Sequence, residues 1–291
     1  MPARRRRSLR ASLSASLFTW LFASLFATLL ACARSDAVEW SEAVRRPAGA
    51  LPGRVSVDSA GAIRFVSLPQ SGAPSLQRPA GACRQSERVA WSGASGAERY
   101  AVWWSVRADS SAALLASRSV DGGATWRAPQ IVDSLDRSNV GCARPSPAIA
   151  ADSATGYVHV AYAMHAPEGT GVFFAHAMDR GAMYHSPVAI VYGDRLVDVD
   201  VAALHDTVAV AYSDPNMRYP QVGLALSRTM GHIFEVRIPR VSRTGSGDAS
   251  ATSPAVALAA GRIAVAWIER DIDGPPTLVT LAGTLHLAGV R

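Results

Sequence analysis

Residues 119–126 read Ser-Val-Asp-Gly-Gly-Ala-Thr-Trp, placing two hydroxyls and a carboxylate within eight positions. Lining a cleft, such a set could supply a nucleophile and a general acid. The same residues also suit the end of a hairpin. Asp121 can accept hydrogen bonds from the amides of its own turn, Gly122 and Gly123 allow positive φ, and Trp126 can fold back onto a sheet. The choice between these readings depends on the elements that position the stretch.

Those elements repeat. Apolar runs close on an aromatic at Trp104, Tyr162, Tyr212 and Trp267, with spacings of 58, 50 and 55 residues. Each spacing is the length of a four-stranded sheet, and self-similarity at that period is the signature of a propeller or solenoid. Asp121 follows Trp104 by 17 residues, Asp179 follows Tyr162 by 17 and Thr229 follows Tyr212 by 17. In the second copy Ala177, Asp179, Gly181 and Tyr184 stand where Ser119, Asp121, Gly123 and Trp126 stand in the first. The third copy has Ser227, Thr229, Gly231 and Phe234.

Units begin near residues 86, 146, 198 and 253, and each reads as four short antiparallel strands joined by turn clusters. The fold expected is all-β: a β-propeller of four-stranded antiparallel blades, about five of them, with six as the alternative count. The segment from about 38 to 82 must form a further blade or help close the ring. Closure removes the exposed sheet edges that would otherwise pair with other chains.

The stretch Ser119-x-Asp121-x-Gly123-x-Thr125-Trp126 resembles the box of the sialidase-like Asp-box (BNR repeat) β-propellers. One copy is near consensus and two are degenerate, and the resemblance covers roughly residues 85 to 245. It implies that the box lies on the turn between third and fourth strands, on the rim away from the ligand face. Ser119, Asp121, Gly123, Thr125, Trp126, Asp179, Gly181 and Tyr184 are then scaffold. The ligand face is expected on the opposite loops, where Arg144, Asp198, Asp214, Arg218, Tyr219, Glu269 and Arg270 converge.

A sialidase-type glycosidase needs an Arg cluster for the substrate carboxylate, a Tyr nucleophile paired with a Glu, and an acid/base Asp. Tyr219 with Glu269, and Arg144, Arg218 and Arg270 as a clamp, are the residue types available. The family's N-terminal Arg-Ile-Pro motif is absent, and the nearest text has Arg64 followed by Phe65. Catalytic labels are therefore not transferred, and a non-catalytic glycan- or protein-binding module is the leading expectation. The alternative is an exo-sialidase-type hydrolase, and a third reading is an assembly factor of similar architecture.

The chain of 291 residues opens on Arg4–Arg7 and Arg10, followed by an uncharged apolar run ending Leu29-Leu30-Ala31-Cys32. That order is an export signal, and its end resembles the bacterial lipobox. Residues 1–31 are read as a lipoprotein signal peptide, Cys32 as the lipid attachment site, 32–50 as a tether and 51–291 as the propeller. Two acyl anchors give durable membrane attachment, and Ala33 after the Cys is compatible with the outer membrane of a bacterial envelope.

Without the leader the chain has 24 basic and 23 acidic residues, about +1, so no nucleic-acid partner is expected. Every basic side chain but His is Arg, which excludes Schiff-base lysine chemistry. Cys83 and Cys142 fall on entry loops of successive units, where a disulfide is geometrically open to them. The seven histidines show no His-Glu-x-x-His pattern and no pair at ligand spacing, with His159 and His205 read as ordinary strand and turn residues. Asp198 and Asp200 share one strand face. No metal, no cofactor and, without any heptad repeat, a monomer are expected.

Overall fold

The computed structural model describes residues 37–48, 54–66, 75–92, 97–216, 219–238, 240–242 and 250–286. The segment read as a leader and Cys32 lie outside them, as do Arg218 and residues 243–249.

The described residues form five antiparallel sheets. Sheet I holds β5 (Arg88–Ser92), β6 (Glu98–Val106), β7 (Ala112–Ser119) and β8 (Gln130–Asp133). Sheet II holds β9 (Ala148–Ala151), β10 (Val158–Ala166), β11 (Gly169–Ala177) and β12 (Val188–Tyr192). Sheet III holds β13 (Val199–Leu204), β14 (Thr207–Asp214), β15 (Gln221–Ser227) and β16 (Val236–Ile238). Sheet IV runs β17 (Ser250–Ala259), β18 (Arg262–Arg270) and β19 (Thr277–Leu285), and is completed by β1 (Val38–Trp40) and β2 (Val44–Pro47), both paired with β19. Sheet V is the hairpin β3 (Arg54–Val57) and β4 (Ile63–Val66). Four full blades and one hairpin agree with the expected count of about five.

Packing explains the apolar second strands. The first strands meet in succession, β5 with β9, β9 with β13, β13 with β17 and β17 with β3. Each second strand is then covered on both faces by its neighbours, so Val158–Ala166 is buried along nearly its whole length rather than alternating. Outer strands, with one partner strand, are half exposed. Separate apolar clusters fill the seams between sheets I and II, II and III, III and IV, and IV and V. The side of sheet I turned away from sheet II is covered by Leu76, Ala82 and Trp126 around Trp103.

Two expectations need correcting. The sheet begins at Val38, inside the segment read as tether, because Val38 enters the apolar core of the third and fourth sheets. The repeat register also shifts by one residue in sheet I. Tyr162 pairs across its hairpin with Phe173, and Tyr212 with Gly223, whereas the residue in that place in sheet I is Trp103, opposite Leu115. Leu115, Phe173 and Gly223 each precede Asp121, Asp179 and Thr229 by six residues. Trp103 is therefore the counterpart of Tyr162 and Tyr212, and the apparent offset of 17 from Trp104 reflects a β6–β7 connection one residue longer. Side-chain direction agrees, since Tyr162 faces sheet I and Tyr212 faces sheet II, while Trp104 points forward to sheet II.

The three turns that follow β7, β11 and β15 share one hydrogen-bond plan. In the first, Gly123 N donates to Ser119 Oγ at 2.8 Å and Thr125 N donates to Asp121 Oδ1 at 2.9 Å. In the third, Gly231 N donates to Ser227 Oγ at 3.0 Å and Ile233 N to Thr229 Oγ1 at 3.0 Å. The second has Ala177 in place of the Ser and keeps the other bond, Met183 N to Asp179 Oδ1 at 3.2 Å. The hydroxyl and amide of Thr125 hold the Asp121 carboxyl far below the usual carboxylate range. Trp126 Nε1 donates to Gly123 O at 3.1 Å and its ring closes over the sheet I cluster. Gly231, at φ +88°, has no room for a side chain, because a Cβ there would lie 2.5 Å from the Phe174 ring of the preceding sheet.

Candidate functional site

Antiparallel alternation sends the three box turns to one end of the sheets. The connections β6–β7, β8–β9, β10–β11, β12–β13, β14–β15 and β18–β19 lie at the other. The described candidate ligand residues are all on that opposite end, and their environments differ sharply.

At the seam of sheets I and II the loops are stapled. Cys83 and Cys142 form a disulfide with Cα atoms 5.3 Å apart, tying the entry to β5 to the β8–β9 loop. Arg144 lies in that loop, buried, with Nε and Nη2 on Asp136 Oδ2 at 2.8 and 2.7 Å. Its remaining donors reach the carbonyls of Gly141, Ser110 and Ser138. A guanidinium so occupied holds the loop together, so Arg144 is not part of a carboxylate clamp. Beneath it, Tyr162 donates to Asp133 Oδ2 at 2.5 Å. Burial raises both groups, Tyr162 well above 10, with Asp133 adding to the phenol's shift.

The seam of sheets III and IV gathers most of the other candidates. Asp198, just before β13, and Asp200 on it both turn to β17, and they serve it structurally. Asp198 Oδ2 accepts from Ser253 N at 3.0 Å and Asp200 Oδ2 from Val256 N at 2.8 Å. Ser253, at φ +53°, lies within the irregularity in β17 between Thr252 and Ala255, and Val256 lies just past it. The two carboxylates thus supply acceptors that the interrupted ladder lacks. Burial pushes Asp200 up to about 6, against the Val256 amide and Arg54. Arg54 reaches from β3 to Ile149 O of β9 at 3.5 Å.

Asp214 caps its own turn through Asn216 N at 2.9 Å. The carbonyl of Pro220, next to Tyr219, accepts from Ala251 N at 2.6 Å, and Ala251 pairs in register with Glu269. Tyr219 and Glu269 therefore belong to one region. Glu269 is 4% exposed, with Trp267 Nε1 donating to Oε1 at 2.9 Å and Arg45 paired to Oε2. Arg45 was invisible to sequence reasoning, because nothing local marks the N-terminal strand as a neighbour of β18. Arg270 is exposed at the end of β18, beside the exposed Ile272 and Asp273.

Among the described residues no group of three His, Cys, Asp or Glu side chains is placed to hold a metal ion. No helix of the described residues is long and apolar enough to cross a membrane. The histidines, however, are not scattered: His159, His176, His185 and His232 meet at the turn end of sheets II and III.

No family model matches the chain. No curated protein matches it. Among solved structures it is similar to a protein of unknown function from Dyadobacter fermentans DSM 18053, with 15% identity over 67% of this chain and 52% of that one and a TM-score of 0.47. It is also similar to the Bacillus subtilis arabinanase Arb43A, at 11% identity over 63% and 68% of the two chains and a TM-score of 0.38. Xylan β-1,4-xylosidase from Bacillus halodurans C-125 is similar at 13% identity over 75% and 45%, with a TM-score of 0.43. The chain spans about half the length of the first of these. At such TM-scores the likeness assigns no activity to this chain.

Proposed function

We propose that this is a lipid-anchored protein of the bacterial envelope, attached through Cys32, whose propeller acts as a non-catalytic module binding a glycan or protein ligand on its loop end. The observation that carries the binding reading is the occupation of the candidate catalytic groups. Both oxygens of Glu269 are held by Trp267 and Arg45, and Arg144 is consumed within its own loop. A nucleophile pair needs a carboxylate free to take the phenol proton, and Glu269 is committed elsewhere. The exposed charges around Arg270 and Asp273, with Ile272, supply instead the mixed polar and apolar contacts that a binding surface uses.

Two experiments test this reading separately. The processed protein is incubated with a fluorogenic sialoside and applied to a glycan array. Binding weakened by Arg270→Ala without turnover supports it, and turnover abolished by Tyr219→Phe establishes the hydrolase alternative instead. Palmitate labelling of the full chain and of Cys32→Ala tests the anchor, with label persisting in the variant counting against it.

A further inference from the structure

Four of the seven histidines lie in one cluster across two blades. His159 on β10 and His176 on β11 are register partners. The His176 ring stacks on His185 at 4.9 Å between centres, and His232 meets it edge-on at 4.5 Å. His232 belongs to the turn after β15, in sheet III, while the other three belong to sheet II. Tyr157 completes the group, with its hydroxyl 3.4 Å from His232 Nε2. Both ring nitrogens of His159 and the Nε2 of His176 are buried without a hydrogen-bond partner. Phe174 and Phe234 pack beside them, 4.9 Å apart.

Such a cluster is stable only while its imidazoles are neutral, since a proton on one places a cation against aromatic and imidazole neighbours. The charged groups nearby offer little compensation. Asp152, on the β9–β10 turn, acts on His159 but is engaged by the amide and hydroxyl of Thr155. Asp179, on the β11–β12 turn, is engaged by Ala182 and Met183 amides, and Arg180 is turned to Glu98. The groups acting on His176 are His232 and His185.

We propose that this four-imidazole seam is an acid-released latch, in which proton uptake at His159 and His176 frees the β15–β16 turn from the second blade. The direction agrees with the environment. Burial, then His176, holds His159 at about 3, and burial, then His232 and His185, holds His176 at about 4. An opened seam returns them toward the ordinary value of about 6.5. Between about 6.5 and about 4 the opened state binds more protons, so opening gains as pH falls, by up to about tenfold per pH unit for each proton taken up.

Hydrogen exchange of the full chain, expressed as protection relative to the intrinsic rate, tests the latch between pH 7 and pH 4.5. Protection in residues 228–235 is expected to fall at least about tenfold, while the histidine-free turn at 119–125 keeps its protection. In His176→Phe, which keeps an aromatic ring and cannot be protonated, the acid loss at 228–235 should shrink severalfold. His159→Phe, at the ring whose two nitrogens lack partners, gives the same readout should the first variant fold poorly. Equal loss at both turns, no loss at 228–235, or a normal acid response in both variants overturns the proposal.

Discussion

The indole Nε1 of Trp267 donates to Oε1 of Glu269 at 2.9 Å, two residues further along the same strand, while Arg45 from the N-terminal β2 takes the other oxygen. The carboxylate is a joint between β18 and the N-terminal β2, which both pair with β19 and are tied to each other across it. Glu269→Ala leaves the buried indole without an acceptor and is expected to cost about 2–3 kcal/mol. Glu269→Gln keeps an acceptor for the indole and should cost less. Urea midpoints at unchanged m-value measure both.

The hydroxyl at the head of the box turn is a second point of leverage. Ser119 and Ser227 are buried and each accepts from the glycine amide four residues on. Ser119→Ala or Ser227→Ala should each destabilise by about 1–2 kcal/mol. The second turn carries Ala177 at this position, so Ala177→Ser should move stability the other way, by about 0.5–1 kcal/mol. Thermal and urea unfolding of the three variants decide it.

Asp200 makes stability depend on pH in the direction opposite to a paired carboxylate. Its native value of about 6 lies above the ordinary range near 3.9. Its contribution is therefore complete below about pH 4 and is lost as pH rises through about 6. Asp200→Asn retains an acceptor for Val256 N. The variant should match the parent near pH 4 and become the more stable of the two above pH 6, as read from urea midpoints across that range.

Cys83 and Cys142 close a loop with a sequence separation of 59. Chain entropy alone assigns such a link about 4 kcal/mol. Reduction, or the paired Cys→Ala variant, should lower the urea midpoint accordingly, and mass analysis under non-reducing conditions checks that the bond is present.

Sequence reading reached the architecture because blades repeat and because the box turn has a local code. Ser119, Asp121 and Gly123 satisfy one another within five residues, so their arrangement is written in order along the chain. Trp103 and Trp104 show the limit of that code. Adjacent tryptophans look interchangeable until pairing with β7 assigns one to each face. The long-range partners were beyond reach for a related reason. Nothing near Arg45 points to Glu269, and nothing near His176 points to His232, since only the stacking of one blade on another brings them together. Arg144 was misjudged because a loop-facing guanidinium and a loop-binding one have the same sequence.

The pairing of β1 and β2 with β19 has a bearing on how the molecule comes into being. Val38 and Leu285 are register partners, so β1 and β2 have nowhere to dock until β19, more than 200 residues further on, has been synthesised. Such distant contacts are slow to form. A chain halted before residue 277 would hold sheets I, II, III and V complete and a sheet IV reduced to β17 and β18, with β1 and β2 left as orphan strands.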